Sequence, residues 1–200
     1  ALPPFFAVGD AAALDSVWKG PVAIIDEPRE ALGAFDRALP LISVADGTVP
    51  PGGGLELVGA RNALDALELA VGLARSGAAS GLVTGPVSKS RLYAVGFAHP
   101  GQTEFVAERC GVAGDLIAMM LAGPSLRVVP VTTHIPLAQV PEALGVDLIA
   151  AKGRAAIRGL QRQFGIERPR LAVAGLNPHA GEDGALGREE IDIVAPAIER

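Results

Sequence analysis

Apolar residues along this 200-residue chain follow two rhythms. Some form short unbroken runs, and others recur every three or four positions, as strands and amphipathic helices do respectively. Phe5–Val8 reads as a strand stopped by Gly9-Asp10, Ala11–Lys19 as a helix, Val22–Ile25 as a short strand and Leu41–Ala45 as a further apolar run. Asn62–Arg75 carries Leu64, Leu67, Val71 and Ala74 at helical spacing, with Asn62 as its expected cap and Gly77 just beyond its end. Ser80–Thr84 reads as a buried strand, Gln102–Cys110 as a helix, and Leu116–Leu121 and Leu126–Val131 as consecutive strands. Val146–Phe164 has the pattern of a long helix with a basic polar face, Leu171–Leu176 that of a strand, and Glu189–Ile198 that of a helix kinked at Pro196.

Strands alternating with helices predict an α/β fold with a largely parallel sheet covered on both faces. The two consecutive strands in the second half predict that the sheet is mixed there. A weak boundary near Lys89–Gly101 divides the chain into a first α/β domain, residues 1–95, and a second, residues 96–200.

Composition narrows the class. Half of the residues are hydrophobic and mean hydropathy is +0.37, yet no run approaches the roughly 20 apolar residues of a membrane-spanning helix. The opening Ala1-Leu2-Pro3-Pro4-Phe5-Phe6 lacks the basic start of a signal peptide. A net charge of −5 with scattered Lys and Arg argues against a nucleic-acid surface. One cysteine, Cys110, rules out an internal disulfide framework and suits a reducing cytoplasm. Cys110 is read as an incidental or buried thiol, since a reactive one needs an electropositive setting. Val49-Pro50-Pro51-Gly52-Gly53-Gly54 has the glycines of a phosphate loop, but no Lys-Ser/Thr and no helix directly after it, and is read as a plain loop.

The candidate chemistry sits where strands are expected to end, which is where open α/β sheets bind ligands. Two of the three histidines, His134 and His179, follow apolar runs, in Thr132-Thr133-His134 and Asn177-Pro178-His179. Metal ligand, general base and structural residue are all open to them. Two imidazoles without a third protein ligand make an incomplete zinc site. Glu182 and Asp183 follow His179 and are candidates for orienting it, with a solvated turn as the alternative. His99, before Pro100, is assigned a structural or rim role. Lys89, in Thr84-Gly85-Pro86-Val87-Ser88-Lys89, is the candidate for pairing with a phosphate or cofactor and for a catalytic role, against the alternative of a solvated lysine opening a helix. Pro100-Gly101-Gln102-Thr103-Glu104 opens a helix whose N–H groups could face an anion.

Four strings occur in one order: Leu82-Val83-Thr84-Gly85-Pro86-Val87-Ser88-Lys89, His99-Pro100-Gly101-Gln102-Thr103-Glu104-Phe105, Val131-Thr132-Thr133-His134-Ile135-Pro136-Leu137 and Gly175-Leu176-Asn177-Pro178-His179-Ala180-Gly181-Glu182. With the opening Leu2-Pro3-Pro4-Phe5 and the helix start Gly187-Arg188-Glu189-Glu190-Ile191, the series resembles the 4-hydroxythreonine-4-phosphate dehydrogenase family of vitamin B6 biosynthesis. Each string alone is weak, but four in order over essentially the whole chain are specific.

The resemblance implies mixed, largely parallel sheets in α/β/α layers, similar to isocitrate and isopropylmalate dehydrogenases, in two domains with the active site in the cleft. It implies oxidation of 4-phosphonooxy-L-threonine with NAD or NADP, then decarboxylation to 3-amino-2-oxopropyl phosphate on the way to pyridoxal 5'-phosphate. It implies a divalent metal (Zn, Mg or Co) held by three histidines, with His134 and His179 matching two and the third coming from the partner subunit of a cytoplasmic homodimer. Gln102 and Thr103 match the substrate contacts, although many members carry His where Gln102 stands, and Gln cannot be protonated. Family members are longer: the N-terminal Gly-Glu-Pro loop and the C-terminal part with the third histidine are missing, so the sequence is read as a partial chain, inactive alone. The same residues also suit a threonate or erythronate 4-phosphate dehydrogenase, a metal-dependent lyase or aldolase, or an inactive ligand-binding fragment.

Overall fold

The computed structural model describes residues 2–44 and 54–200, so the glycine-rich loop at 49–53 and the end of the run at residue 45 lie outside the described residues. The chain forms two compact units, Ala1–Gly101 and Gln102–Arg200.

The first unit runs β1 (Ala7–Gly9), α1 (Ala11–Val17), β2 (Val22–Ile24), α2 (Ala31–Ala34), β3 (Leu39–Ser43), α3 (Leu55–Arg75) and α4 (Lys89–Ala94). Its three strands pair in parallel in the order β1-β3-β2, with Ala7 opposite Leu41 and Val22 opposite Leu39. β3 takes the centre and is the most buried of the three, with Leu41 there 1 % exposed. Ile25, Ala31 and Ile42 form a core against which Phe6, Val8 and Leu73 pack. α1 starts where it does because Asp10 caps it: Oδ1 accepts from the N–H groups of Ala12 (2.8 Å) and Ala13 (3.1 Å).

Two expectations fail in this unit. α3 begins at Leu55, directly after Gly54, where no helix was expected, and Asn62 does not cap it. Asn62 lies buried inside the helix and donates its side-chain amide to Asp10 Oδ2 at 2.7 Å. A long-range partner, rather than a free helix end, thus accounts for the polar residue. Ser80–Thr84 forms no strand, and Val83 is 97 % exposed. Among the described residues no strand pairs with it, and an apolar run becomes a strand only when a neighbour supplies the ladder.

The second unit runs α5 (Gln102–Arg109), β4 (Leu121–Ala122), β5 (Arg127–Val128), α6 (Val140–Ala143), α7 (Val146–Phe164) and α8 (Ala195–Ile198), the last entered through a wide π turn at Glu190–Val194. β4 and β5 pair antiparallel, Leu121 opposite Val128, but as a separate two-stranded sheet, so among the described residues the second half breaks the parallel pattern without the mixed sheet expected there. Each is two residues long, far shorter than the apolar runs that contain them. α7 has the bounds its periodicity predicts. Ile149, Ala156 and Leu160 are buried along one face, and Gly165 ends the helix in a left-handed conformation, φ 66°. Ile149 packs with Val194 and Ala197, and this cluster anchors the C-terminal helical segment. Leu171–Leu176 forms no strand among the described residues, so the strand predicted there is absent for the same reason as at 80–84. No helix among the described residues is long and apolar enough to cross a membrane.

Candidate active site

The loop after Leu176 is built by its own polar groups. The Asn177 side-chain oxygen accepts the His179 N–H at 2.8 Å, and its amide donates to the Leu186 carbonyl at 3.1 Å. The Ala180 N–H returns to the Asn177 carbonyl at 2.9 Å. Ala180, Gly181, Glu182 and Asp183 all have positive φ, so the chain coils tightly immediately after the imidazole. The loop is fastened from outside by Glu190, whose Oε1 accepts the Asn177 N–H at 2.8 Å. That bond holds the Glu190 carboxyl below its ordinary range, with burial pushing the other way. The Glu190 carboxylate lies so close that a Cβ at Gly175 would stand 3.2 Å from Oε1 and one at Gly181 3.3 Å from Oε2.

A cavity of about 110 Å³ opens elsewhere in the second unit, lined by Thr103, Glu104, Ile117, Thr133, His134 and Lys152 among others. It is smaller than the roughly 300–1,000 Å³ typical of small-molecule sites. α5 contributes Thr103 and Glu104 from its first turn, and α7 contributes Lys152. Lys152 Nζ donates to the Gly114 carbonyl at 3.2 Å and to the Ile117 carbonyl, tying α7 to the turn at 114–117. Glu104 Oε2 is buried there with no hydrogen-bond partner among the described residues. His134 enters the cavity from a residue with φ 60°, six positions beyond β5 rather than at a strand end.

Thr103 and His134 therefore share a cavity that His179 does not line. Gln102 opens α5 beside Thr103. His179 lies on the surface with its side chain 69 % exposed and its Nδ1 3.5 Å from Glu182 Oε1. Lys89 is the first residue of α4 in the first unit and is exposed. His99 packs its ring against Phe97 at 5.2 Å between centroids, also in the first unit. Cys110 is exposed rather than buried. An imidazole with a carboxylate at one nitrogen is free to coordinate through the other, so His179 has the chemistry of a metal ligand. Among the described residues, however, no three His, Cys, Asp or Glu side chains come together, so they supply part of a metal site at most.

Glu190, Lys152 and Glu104 were not singled out from sequence for the work the structure gives them. Glu190 stood inside the Gly187–Ile191 string, and only the fold shows that it reaches back 13 positions to Asn177. Lys152 is one cation among several on the polar face of α7, and nothing in the pattern separates it from its neighbours.

A family model described as pyridoxal phosphate biosynthetic protein PdxA matches residues 2–200. The 4-hydroxythreonine-4-phosphate dehydrogenase of Zymomonas mobilis is 53% identical over 195 residues, covering 98% of this chain and 58% of the relative. That of Erythrobacter litoralis is 54% identical over 202 residues, covering 98% of this chain and 60% of the relative. Among solved structures, the 4-hydroxythreonine-4-phosphate dehydrogenase of Klebsiella pneumoniae superposes with a TM-score of 0.81 at 35% identity, over 96% of this chain and 59% of that one. The chain thus spans about three fifths of the length of the proteins it matches.

Proposed function

The chain belongs to the family of pyridoxal phosphate biosynthetic protein PdxA, and from that premise we propose that it is the substrate-binding part of a dehydrogenase acting on 4-phosphonooxy-L-threonine in the cytoplasm. The secondary alcohol is oxidised with transfer of a hydride to NAD or NADP and release of a proton. The resulting 2-amino-3-oxo acid loses carbon dioxide to give 3-amino-2-oxopropyl phosphate. The observation that carries this reading is the pair Thr103 and His134, from two of the four family strings, lining one cavity of the second unit.

The roles follow from side-chain chemistry. Thr103 offers a hydroxyl and Gln102 an amide, both able to donate to and accept from a polar substrate, and Gln102 orients without exchanging protons. His134 and His179 would supply two ligands to a divalent metal, and an imidazole of the partner subunit in a two-fold homodimer would supply the third. A divalent ion such as Zn, Mg or Co, when bound, polarises the alcohol oxygen and eases loss of its proton. Lys89 is kept as the candidate for pairing with a phosphate, a role its compact ammonium suits.

The full-length gene product, given 4-phosphonooxy-L-threonine and NAD, is expected to form NADH, and chelation to stop it. His134→Ala and His179→Ala are each expected to abolish the metal-dependent rate, while near-normal turnover in either variant would remove that residue from the metal site. Threonate and erythronate 4-phosphates in the same assay separate the related substrates, and a carbonyl product formed without nicotinamide would favour a lyase.

A further inference from the structure

We infer that Glu190 is a positioning residue for His179: through the Asn177 backbone, its carboxylate sets where the imidazole stands. The inference rests on the assignment of His179 to the site proposed above. Three bonds make the connection. Glu190 Oε1 accepts the Asn177 N–H at 2.8 Å, Asn177 Oδ1 accepts the His179 N–H at 2.8 Å, and Asn177 Nδ2 donates to the Leu186 carbonyl at 3.1 Å. Asn177 is thereby held on three sides, and the direction of the His179 main chain follows from it.

Glu190 is suited to this because its own position is fixed. It opens the helical segment Glu190–Val194, whose Val194 is buried against Ile149 of α7 and Ala197 of α8. The loop is thus fastened to a packed element rather than to another loop, which is how a site residue is held to sub-ångström tolerance. The space around the carboxylate is shaped to admit it. A side chain at Gly175 would crowd Oε1, and one at Gly181 would crowd Oε2 and stand 2.6 Å from the Gly187 carbonyl oxygen. Glu182, the carboxylate that sequence order suggests for orienting His179, is a weaker holder. It faces the ring at 3.5 Å with both side chains mostly exposed, and exposed ion pairs contribute little.

The test uses the full-length enzyme with Glu190→Ala, Glu190→Gln and Glu182→Ala. Amide hydrogen exchange follows residues 177–182, and kcat and KM are measured for the phosphorylated hydroxy amino acid. In Glu190→Ala the Asn177 and His179 amides are expected to exchange faster while α7 stays protected. Its kcat is expected to fall about 10–100-fold, the usual effect of losing an outer-shell orienting group, with a much smaller change in KM. Glu190→Gln is expected to restore both readouts, because its amide oxygen still accepts the Asn177 N–H. Glu182→Ala is expected to cost less than Glu190→Ala in each. Unchanged exchange at Asn177 in Glu190→Ala overturns the inference. So does a Gln variant as disturbed as the Ala variant, or a larger loss from Glu182→Ala. If the wild-type enzyme forms no NADH, the reading of the reaction fails, and the exchange rates still decide the role of Glu190.

Discussion

Asp10 does two jobs with one carboxylate. Oδ1 caps α1 and Oδ2 satisfies the buried amide of Asn62 at 2.7 Å. The Ala13 N–H bond is the largest reason its pKa lies below the ordinary 3.8, with burial opposing and the Asn62 and Ala12 bonds adding to the lowering. Asp10→Ala is expected to lower stability by about 2 kcal/mol, combining a lost cap with an unsatisfied buried amide. The sign with pH follows from the depressed native pKa. The stabilising contribution is complete above the unfolded-state value and is lost as pH falls through the native one. Urea unfolding of the two proteins at a series of pH values should therefore show a constant gap near neutrality that closes in acid. Gly181 sets a second limit at this scale. With φ 76° and no room for a Cβ, Gly181→Ala is expected to cost about 1–3 kcal/mol of local strain and to loosen the His179 loop. Thermal unfolding together with amide exchange measures both effects.

Among the elements, α7 is the most predictable and the most consequential for the second unit. Its apolar stripe is visible in one sequence because i, i+3 and i+4 positions share a face whatever the helix packs on. Leu160→Ala is expected to cost about 2–5 kcal/mol, since the side chain is buried and its neighbours cannot fully collapse. Gly165→Ala is expected to cost about 1 kcal/mol, because the left-handed stop then carries a Cβ. Denaturant unfolding checks both. Strands were legible only where a partner lies nearby in the chain. β1, β2 and β3 lie within 37 residues of one another and pair, whereas the runs at 80–84 and 171–176 remain unpaired among the described residues. The missed start of α3 has a local cause: Gly59 and Asn62 weaken the helical pattern ahead of Leu64.

For the whole molecule, the function proposed above makes two expectations: the 200 residues alone form no NADH from the phosphorylated substrate, and the full-length gene product forms it as a dimer. Parallel assays with sedimentation measurements test this, and turnover by the 200 residues would show that they complete the site themselves. By itself, the sequence determined the α/β class, the bounds of α7, the family and the identity of the polar residues in its four strings. All of these depend on residue order and short-range periodicity, which survive without knowledge of the fold. Only the tertiary structure decided that Asn62 serves Asp10 across 52 positions, that Lys152 ties down the turn at 114–117, that Thr103 shares a cavity with His134, and that Glu190 rather than Glu182 holds the His179 loop. A buried hydrogen-bonding group takes whichever partner packing brings within about 3 Å, and sequence spacing does not contain that distance.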